Sequence, residues 1–277
     1  MDILAVLIYY HGCIEMVNNN IKSFINSIDH LIIYENSIIN EKEKLLQGID
    51  VSKVSFNGDG TNIGIAKALN SVVDSVGDRY THMILMDQDS EWLNIDEYIE
   101  RIKQDNTQRV FAYGPRVVVS EDECNQISEQ LEVVDHVITS GALINIEYLR
   151  SIGGYCEKLW IDGVDEEICF RAAANYLSIK KVMSAHLLQR YGSGNYRSIL
   201  GRNIIIPEYS AQRKYWIAKN HIYILKKCKL SMKRKRKMLI EYILKPLFDT
   251  LLFEQDKNSK CIAIIKGTID GLRWKVD

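Results

Sequence analysis

The sequence predicts an α/β fold: a mostly parallel sheet flanked by helices, with a helical appendage at its C-terminal end. Three observations predict it. Short apolar runs alternate with stretches of helical periodicity through the first half of the chain, as strands joined by crossover helices do. Each run ends in polar residues, as strands do where they leave a buried sheet. Past residue 207 the alternation gives way to long helical segments rich in aromatic and basic residues. The expected division is a core over residues 1–206 and an extension over 207–277.

The elements follow in order. Ile3 to Ile8 and Leu31 to Tyr34 are the first two strands, and between them Val17, Ile21, Phe24, Ile25 and Ile28 recur at helical spacing. Val51 to Phe56 is the third strand. The turn residues Asn57-Gly58-Asp59-Gly60 and a helix with Ile65, Leu69, Val72 and Val76 on one stripe come next. His82 to Met86 is the fourth strand and ends at Asp87. A helix is expected over Ile95 to Ile102, and strands over Val110 to Tyr113, Arg116 to Val119 and Glu132 to Thr139. The segment Ala142 to Ile146 leads to a short helix near Tyr148, a break at Gly153-Gly154 and a helix from Asp165 to Asn175. In the extension, Gln212 to Lys227 and Met238 to Phe253 read as helices.

Composition narrows the class. A chain of 277 residues, 47% hydrophobic and 26% charged, can bury a large core. Three prolines and 16 glycines leave no linker or low-complexity stretch. The six cysteines form no CxxC pair and no zinc-like spacing, which fits reduced thiols in a cytoplasmic protein. No apolar run approaches the ~20 residues that span a bilayer, and no basic leader precedes Ile3.

In open α/β sheets ligands bind beyond the carboxyl ends of the strands. Three polar sets stand there: Glu35-Asn36-Ser37, Asp87-Gln88-Asp89, and Asn62 with Gly64 opening the third-strand helix. Two carboxylates one residue apart can share a hard cation, and a third can bind a ribose or base. A solvated turn also carries Asp-X-Asp, but the apolar Met83-Ile84-Leu85-Met86 before it argues for a strand end. A second acidic cluster comprises Asp162, Asp165, Glu166 and Glu167, after Trp160. Capping and solvation of a helix explain one or two of these acids, not four. A carboxylate near a bound metal complex would serve as the base that a hydroxyl nucleophile needs.

These pieces stand in the order found in family-two glycosyltransferases, and the chain most resembles their bacterial rhamnosyltransferase-like branch. Leu7-Ile8-Tyr9-Tyr10-His11 resembles the first strand end and Tyr34-Glu35-Asn36-Ser37 the second. Asn62-Ile63-Gly64-Ile65-Ala66-Lys67-Ala68-Leu69-Asn70 resembles the Asn-x-Gly-x-Ala-x-Ala-x-Asn helix opening, and Leu85-Met86-Asp87-Gln88-Asp89-Ser90 the metal-site strand. Thr139-Ser140-Gly141, Gly153-Gly154-Tyr155 and Trp160 to Glu167 resemble the acceptor-side and base-bearing segments, and Arg213 to Trp216 with Asn220 a segment after the core. The resemblance covers about residues 3 to 220. It implies a GT-A type, Rossmann-like fold and an inverting transfer from a nucleoside-diphosphate sugar, with L-rhamnose from its dTDP donor as the leading expectation. The acceptor implied is a hydroxyl of a glycan, lipid-linked, in cell-surface polysaccharide synthesis.

Residue by residue, the resemblance makes Tyr9, Glu35, Asn62, Asp87 and Asp89 donor-binding, with Asp89 holding Mg2+ or Mn2+. It makes Asp165 the catalytic base and sets Trp160, Asp162 and Glu166 on the acceptor side. Three departures stand out: Glu35 replaces Asp, Tyr9 and His11 replace Thr and Asn, and Gln189 stands where the family often has a metal-binding His. His186 is the substitute ligand to be weighed against it. A donor-binding protein without turnover is the alternative reading. An aspartyl phosphohydrolase fits less well, because Glu91 rather than Thr or Val stands two residues after Asp89.

From Lys226 to Lys237, eight of the twelve positions are Lys or Arg and none is acidic. Leu239, Ile240, Ile243, Leu244, Leu247, Phe248, Leu251 and Leu252 follow. A basic head with an apolar stripe suits an anionic membrane surface, giving a cytoplasmic protein peripheral at the inner face of the membrane. Nucleic acid is not expected, since no interleaved aromatic platform accompanies the charges.

Overall fold

Four apolar runs become four adjacent parallel strands. In the computed structural model, which describes residues 1–125, 130–189, 195–199, 202–206 and 208–276, these are β1 (Ile3–Tyr9), β2 (His30–Glu35), β3 (Val54–Asn57) and β4 (His82–Met86). They lie in the order β3-β2-β1-β4. Each pair is parallel, with Val6 opposite Ile32 and Leu85. The connections are α1 (Ile14–Phe24), the short α2 (Lys42–Leu45) and α3 (Ile65–Val76). Val17, Ile21 and Phe24 of α1 are fully buried against the sheet. Each such side chain contributes about 1.5–3 kcal/mol of burial.

Beyond β4 the sheet is mixed rather than parallel. It continues β8 (Leu143–Asn145), β6 (Val110–Val118), β9 (Ser178–Gln189) and β5 (Ser90–Trp92), and β7 (Leu131–Val133) also pairs with β9. β8 is antiparallel to β4 and β6, β5 and β7 are antiparallel to β9, and β6 runs parallel to β9. The two expected strands over 110–119 are one strand, β6, and the expected strand over 132–139 shrinks to β7. Three helices complete this part: α4 (Ile95–Gln104), α5 (Ile146–Ser151) and α6 (Val164–Ala174).

The chain divides into two compact units, residues 1–160 with 164–190, and residues 161–163 with 191–277. The second contains the hairpin β10 (Asn195–Ile199) and β11 (Arg202–Ile206), then α7 (Ala211–Lys227), α8 (Met232–Leu239), a π-helical turn over Ile240–Leu244, α9 (Lys245–Phe253) and α10 (Lys257–Arg273). Ser210 caps α7 and Ser231 caps α8, each hydroxyl accepting from the amide three residues on at 3.2 Å. A buried ion network joins the helices. Glu254 accepts from Lys214 (2.7 Å) and Lys260 (3.0 Å), and Lys260 also reaches Glu208 (2.6 Å).

Candidate active site

Because β1 to β4 run parallel, their carboxyl ends share one edge of the sheet, and the polar sets of the sequence meet there. The Gln88 amide clamps that edge. Its Oε1 accepts from Tyr10 N and its Nε2 donates to Tyr10 O, both at 3.0 Å, across the ends of β4 and β1. Asn20 of α1 donates to the Asp87 carbonyl (2.6 Å), and the Asp87 amide donates to Ser140 Oγ (3.3 Å), itself bonded to the buried Ser90 Oγ (2.8 Å). The backbone carrying Asp87 and Asp89 is thus held from three sides. Rigid placement of this kind suits carboxylates that must meet a charged ligand in one geometry.

The neighbouring strand end is built the same way. Asn36 N donates to Tyr9 O (3.0 Å), Ser37 Oγ accepts from His11 N (2.8 Å), and Asn36 Oδ1 accepts from Ile63 N (2.9 Å). Glu35 is nearly buried and ion-paired to Lys42 Nζ at 2.6 Å, while Lys42 lies 4.4 Å over the Phe56 ring. Lys42 belongs to this end of the sheet although nothing in the local sequence marks it. Asn20 was equally unmarked, one of three consecutive asparagines on α1.

The Asn62 helix opening has a separate reason for each of its residues. Asn62 Oδ1 accepts from Gly64 N (3.0 Å), closing an Asx turn before α3. Gly64 has φ +81°, and a Cβ there would lie 3.0 Å from the Trp160 carbonyl and 3.1 Å from its ring. Ile65 N donates to that carbonyl at 3.2 Å. Ala66 and Ala68 are buried, and the Asn70 amide brackets the Tyr155 backbone, accepting from its N (2.8 Å) and donating to its O (3.0 Å). The start of α3 therefore anchors the 154–160 segment that leads into the acidic cluster.

The four acids of that cluster have four different surroundings. Asp165 is half-buried in the first turn of α6 and accepts from Glu166 N at 2.9 Å. Glu167 is wholly buried and receives both forks of Arg171 (3.0 and 2.8 Å), whose other contacts are the Ile152 and Gly154 carbonyls. Arg171 thereby fixes the Gly153-Gly154 turn. Glu166 is 3% exposed, with Oε1 3.8 Å from His136 Nε2. Asp162 belongs to the second unit, where it pairs with Arg213 (3.1 Å) beside carbonyls of Ile161 and Asp162 that Asn220 holds. Trp160 keeps 42% of its surface exposed while seated on Gly64.

Strand parity sets the surroundings of two further residues. Tyr9 shares the face of Ile3, Ala5 and Leu7, so its ring joins the core and its hydroxyl donates to Gly12 O (2.9 Å). That bond ties Tyr9 to the loop after β1. His186 is buried three residues before Gln189 on β9, on the alternate face. Its amide donates to Asn94 Oδ1 (2.7 Å) and its carbonyl accepts from Leu93 N. Burial, with Arg116 nearby, lowers the His186 pKa. The β5–β9 ladder instead sets Gln189 opposite Ser90, the residue after Asp89.

Among the described residues no three His, Cys, Asp or Glu side chains gather closely enough to hold an ion unaided. Asp89 and Gln189, the expected ligands, offer a carboxylate and an amide oxygen. Such a set fits Mg2+ or Mn2+, which accept phosphate and water oxygens for the remaining positions.

No family model matches this chain. It is 27% identical to the dTDP-rhamnosyl transferase RfbF of Shigella flexneri, over 98% of this chain and 96% of that protein. In structure it is similar to the mannosyltransferase PcManGT of Pyrobaculum calidifontis in complex with GDP-Man and Mn2+, with TM-score 0.62 and 9% identity, over 96% of this chain and 73% of that one. It is also similar to TarS of S. aureus, with TM-score 0.59 and 11% identity, over 98% of this chain and 49% of that one. The mixed sheet with its flanking helices is the GT-A fold.

Proposed function

We propose that this rhamnosyltransferase-like glycosyltransferase moves L-rhamnose from a dTDP donor to a hydroxyl of a lipid-linked glycan, with inversion, in cell-surface polysaccharide synthesis. The observation that carries the reading is the clamped edge: Asp87 and Asp89 fixed through Gln88 to β1, beside Glu35 and the Asn62 turn. The full-length likeness to a dTDP-rhamnosyl transferase supports the donor. Glu35 binds the nucleoside, with Lys42 beside it, and Asp87 and Asn62 border the sugar-diphosphate. Asp89, with Gln189, would hold Mg2+ or Mn2+, which would supply positive charge against the diphosphate.

The Asp165 carboxylate takes the proton of the acceptor hydroxyl as that oxygen bonds to the anomeric carbon. The bond from that carbon to the diphosphate oxygen breaks on the opposite face, and the nucleoside diphosphate leaves with the electron pair. General-base catalysis by a positioned carboxylate accounts for roughly 10²–10⁴ in rate. Asp165→Asn is therefore expected to lower turnover by about that factor with donor affinity unchanged, read by product assay and by thermal shift with nucleotide sugars with and without Mn2+. Full turnover in Asp165→Asn would remove the base assignment. Donor binding without any transfer in the wild type would favour the binding-protein alternative. A lipid-linked acceptor would be met at the inner face of the membrane, to which Lys233, Arg236 and Lys237 bring positive charge.

A further inference from the structure

The second unit leaves two apolar stripes uncovered. α7, the π-helical turn and α10 share a small core of Ala218, Ile222, Ile243 and Ile264. α10 seats Gly267 and Gly271 against the Tyr215 and Lys219 carbonyls of α7. That contact turns Ile262, Ile265, Ile269 and Leu272 outward, 41–64% exposed. On the preceding helical run Ile240, Leu244, Phe248 and Leu252 are 51–60% exposed. Steps of three and four make each set a single stripe, and apolar surface gathered in this way marks an interaction site.

The geometry points to an anionic lipid surface as the occupant, with the α8–α9 run lying in the headgroup plane and its stripe, with that of α10, entering the acyl boundary. The argument is charge complementarity. The α9 stripe continues from the exposed Lys233, Arg236 and Lys237, and from Met232 to Phe253 the one exposed acid is Glu241, 3.6 Å from Lys237. A second copy of the chain would bring these cations against like charge or bare apolar side chains. Lys226 takes no part, because its Nζ caps the last carbonyls of α10, Leu272 and Trp274, at 2.6 Å. Among the described residues no helix is long and apolar enough to cross a membrane, so the contact is in-plane. As the route to a membrane-borne acceptor the inference rests on the transferase reading, but lipid binding is measured without turnover.

The test is cosedimentation of the full chain with vesicles of phosphatidylcholine alone or with phosphatidylglycerol added. Each cation near an anionic surface is worth roughly fivefold in affinity, so binding to the anionic vesicles should be at least about tenfold tighter. The triple variant Lys233→Glu, Arg236→Glu, Lys237→Glu should erase that preference, and Leu244→Glu with Phe248→Glu should abolish binding to both vesicles. Near-UV circular dichroism and thermal melting establish that the variants are folded. Equal binding to both vesicles, or none to either, overturns the proposal. So does a dimer in light scattering that Leu244→Glu with Phe248→Glu dissociates. Transfer to a soluble acceptor separates the two readings: it survives if only membrane docking fails, and it is absent, with vesicle binding intact, if only the transferase reading fails.

Discussion

Replacing Gly64 with alanine asks how tightly the start of α3 holds the segment leading to Asp165. Gly64 has φ +81° and ψ 163°, a region essentially restricted to glycine, and forcing an L-residue into it costs about 1–3 kcal/mol. The added Cβ would also stand 3.0 Å from the Trp160 carbonyl and 3.1–3.2 Å from its ring. Relief requires Trp160 to move away, stretching the 3.2 Å bond from Ile65 N, worth about 0.5–1.5 kcal/mol. The total is about 2–4 kcal/mol. Gly77, at the other end of the same helix, is the control: its φ is +55° but a Cβ there meets nothing within 4 Å, so Gly77→Ala carries the backbone cost alone. Urea denaturation of both variants, with kcat and KM for donor and acceptor, separates the contributions. Gly64→Ala should be the less stable by about 1 kcal/mol and should raise acceptor KM or lower kcat, whereas Gly77→Ala should leave both unchanged. If the two variants matched in stability and in kinetics, Trp160 would not be the element that Gly64 positions.

Gln189→His should tighten Mn2+-dependent donor binding by tenfold or more, since imidazole is the stronger ligand; calorimetric titration with Mn2+ and nucleoside diphosphate checks this, and unchanged affinity would remove Gln189 from the ion's surroundings. Asp105 gives an acid limb to stability. Burial raises its pKa, but hydrogen bonds from Lys180, Thr107 and Tyr113 outweigh burial and hold it at about 2. Its contribution is therefore complete above its ordinary value near 3.8 and is lost as pH falls through about 2. Wild type should exceed Asp105→Asn in stability at pH 6, and the gap should close between pH ~4 and ~2 in urea melts; a gap independent of pH would contradict the linkage. Glu254→Gln removes the negative charge shared by the buried Lys214 and Lys260 and should cost about 3–5 kcal/mol by denaturation, a loss below about 1 kcal/mol arguing that the pair needs no buried counter-charge.

How far the sequence discloses this molecule depends on whether the deciding contact is local. β1, β2 and β4 were legible because each centres on an uninterrupted apolar run, β3 only in part because Val51–Lys53, expected to open it, is a 3-10 turn, and the Asp87-Gln88-Asp89 corner because polarity changes abruptly after Met86. The long strand β9 was not, since Lys180 and Lys181 interrupt its apolar pattern. Lys180 is nevertheless buried, bonded to Asp105, 75 residues away, at 2.7 Å. For Tyr9 and His186 the sequence was silent for a different reason: a motif gives position along a strand, whereas the ladder decides which face that position presents. Tyr9 falls on the face of Leu7, and His186 on the alternate face from Gln189. The acidic cluster joins both cases. Four acids within six residues suggested a shared chemical task, but Arg171 and His136 draw Glu167 and Glu166 inward and Arg213 pairs with Asp162. Arg171 lies one helical turn from Glu167, but His136 and Arg213 are 30 and 51 residues from their acids, and no local pattern reveals those pairings. Glu166 and Glu167 are buried whereas Asp165 is half-buried in the first turn of α6, so on the proposed mechanism substituting Glu166 or Glu167 should register first as lost stability, and substituting Asp165 as lost turnover.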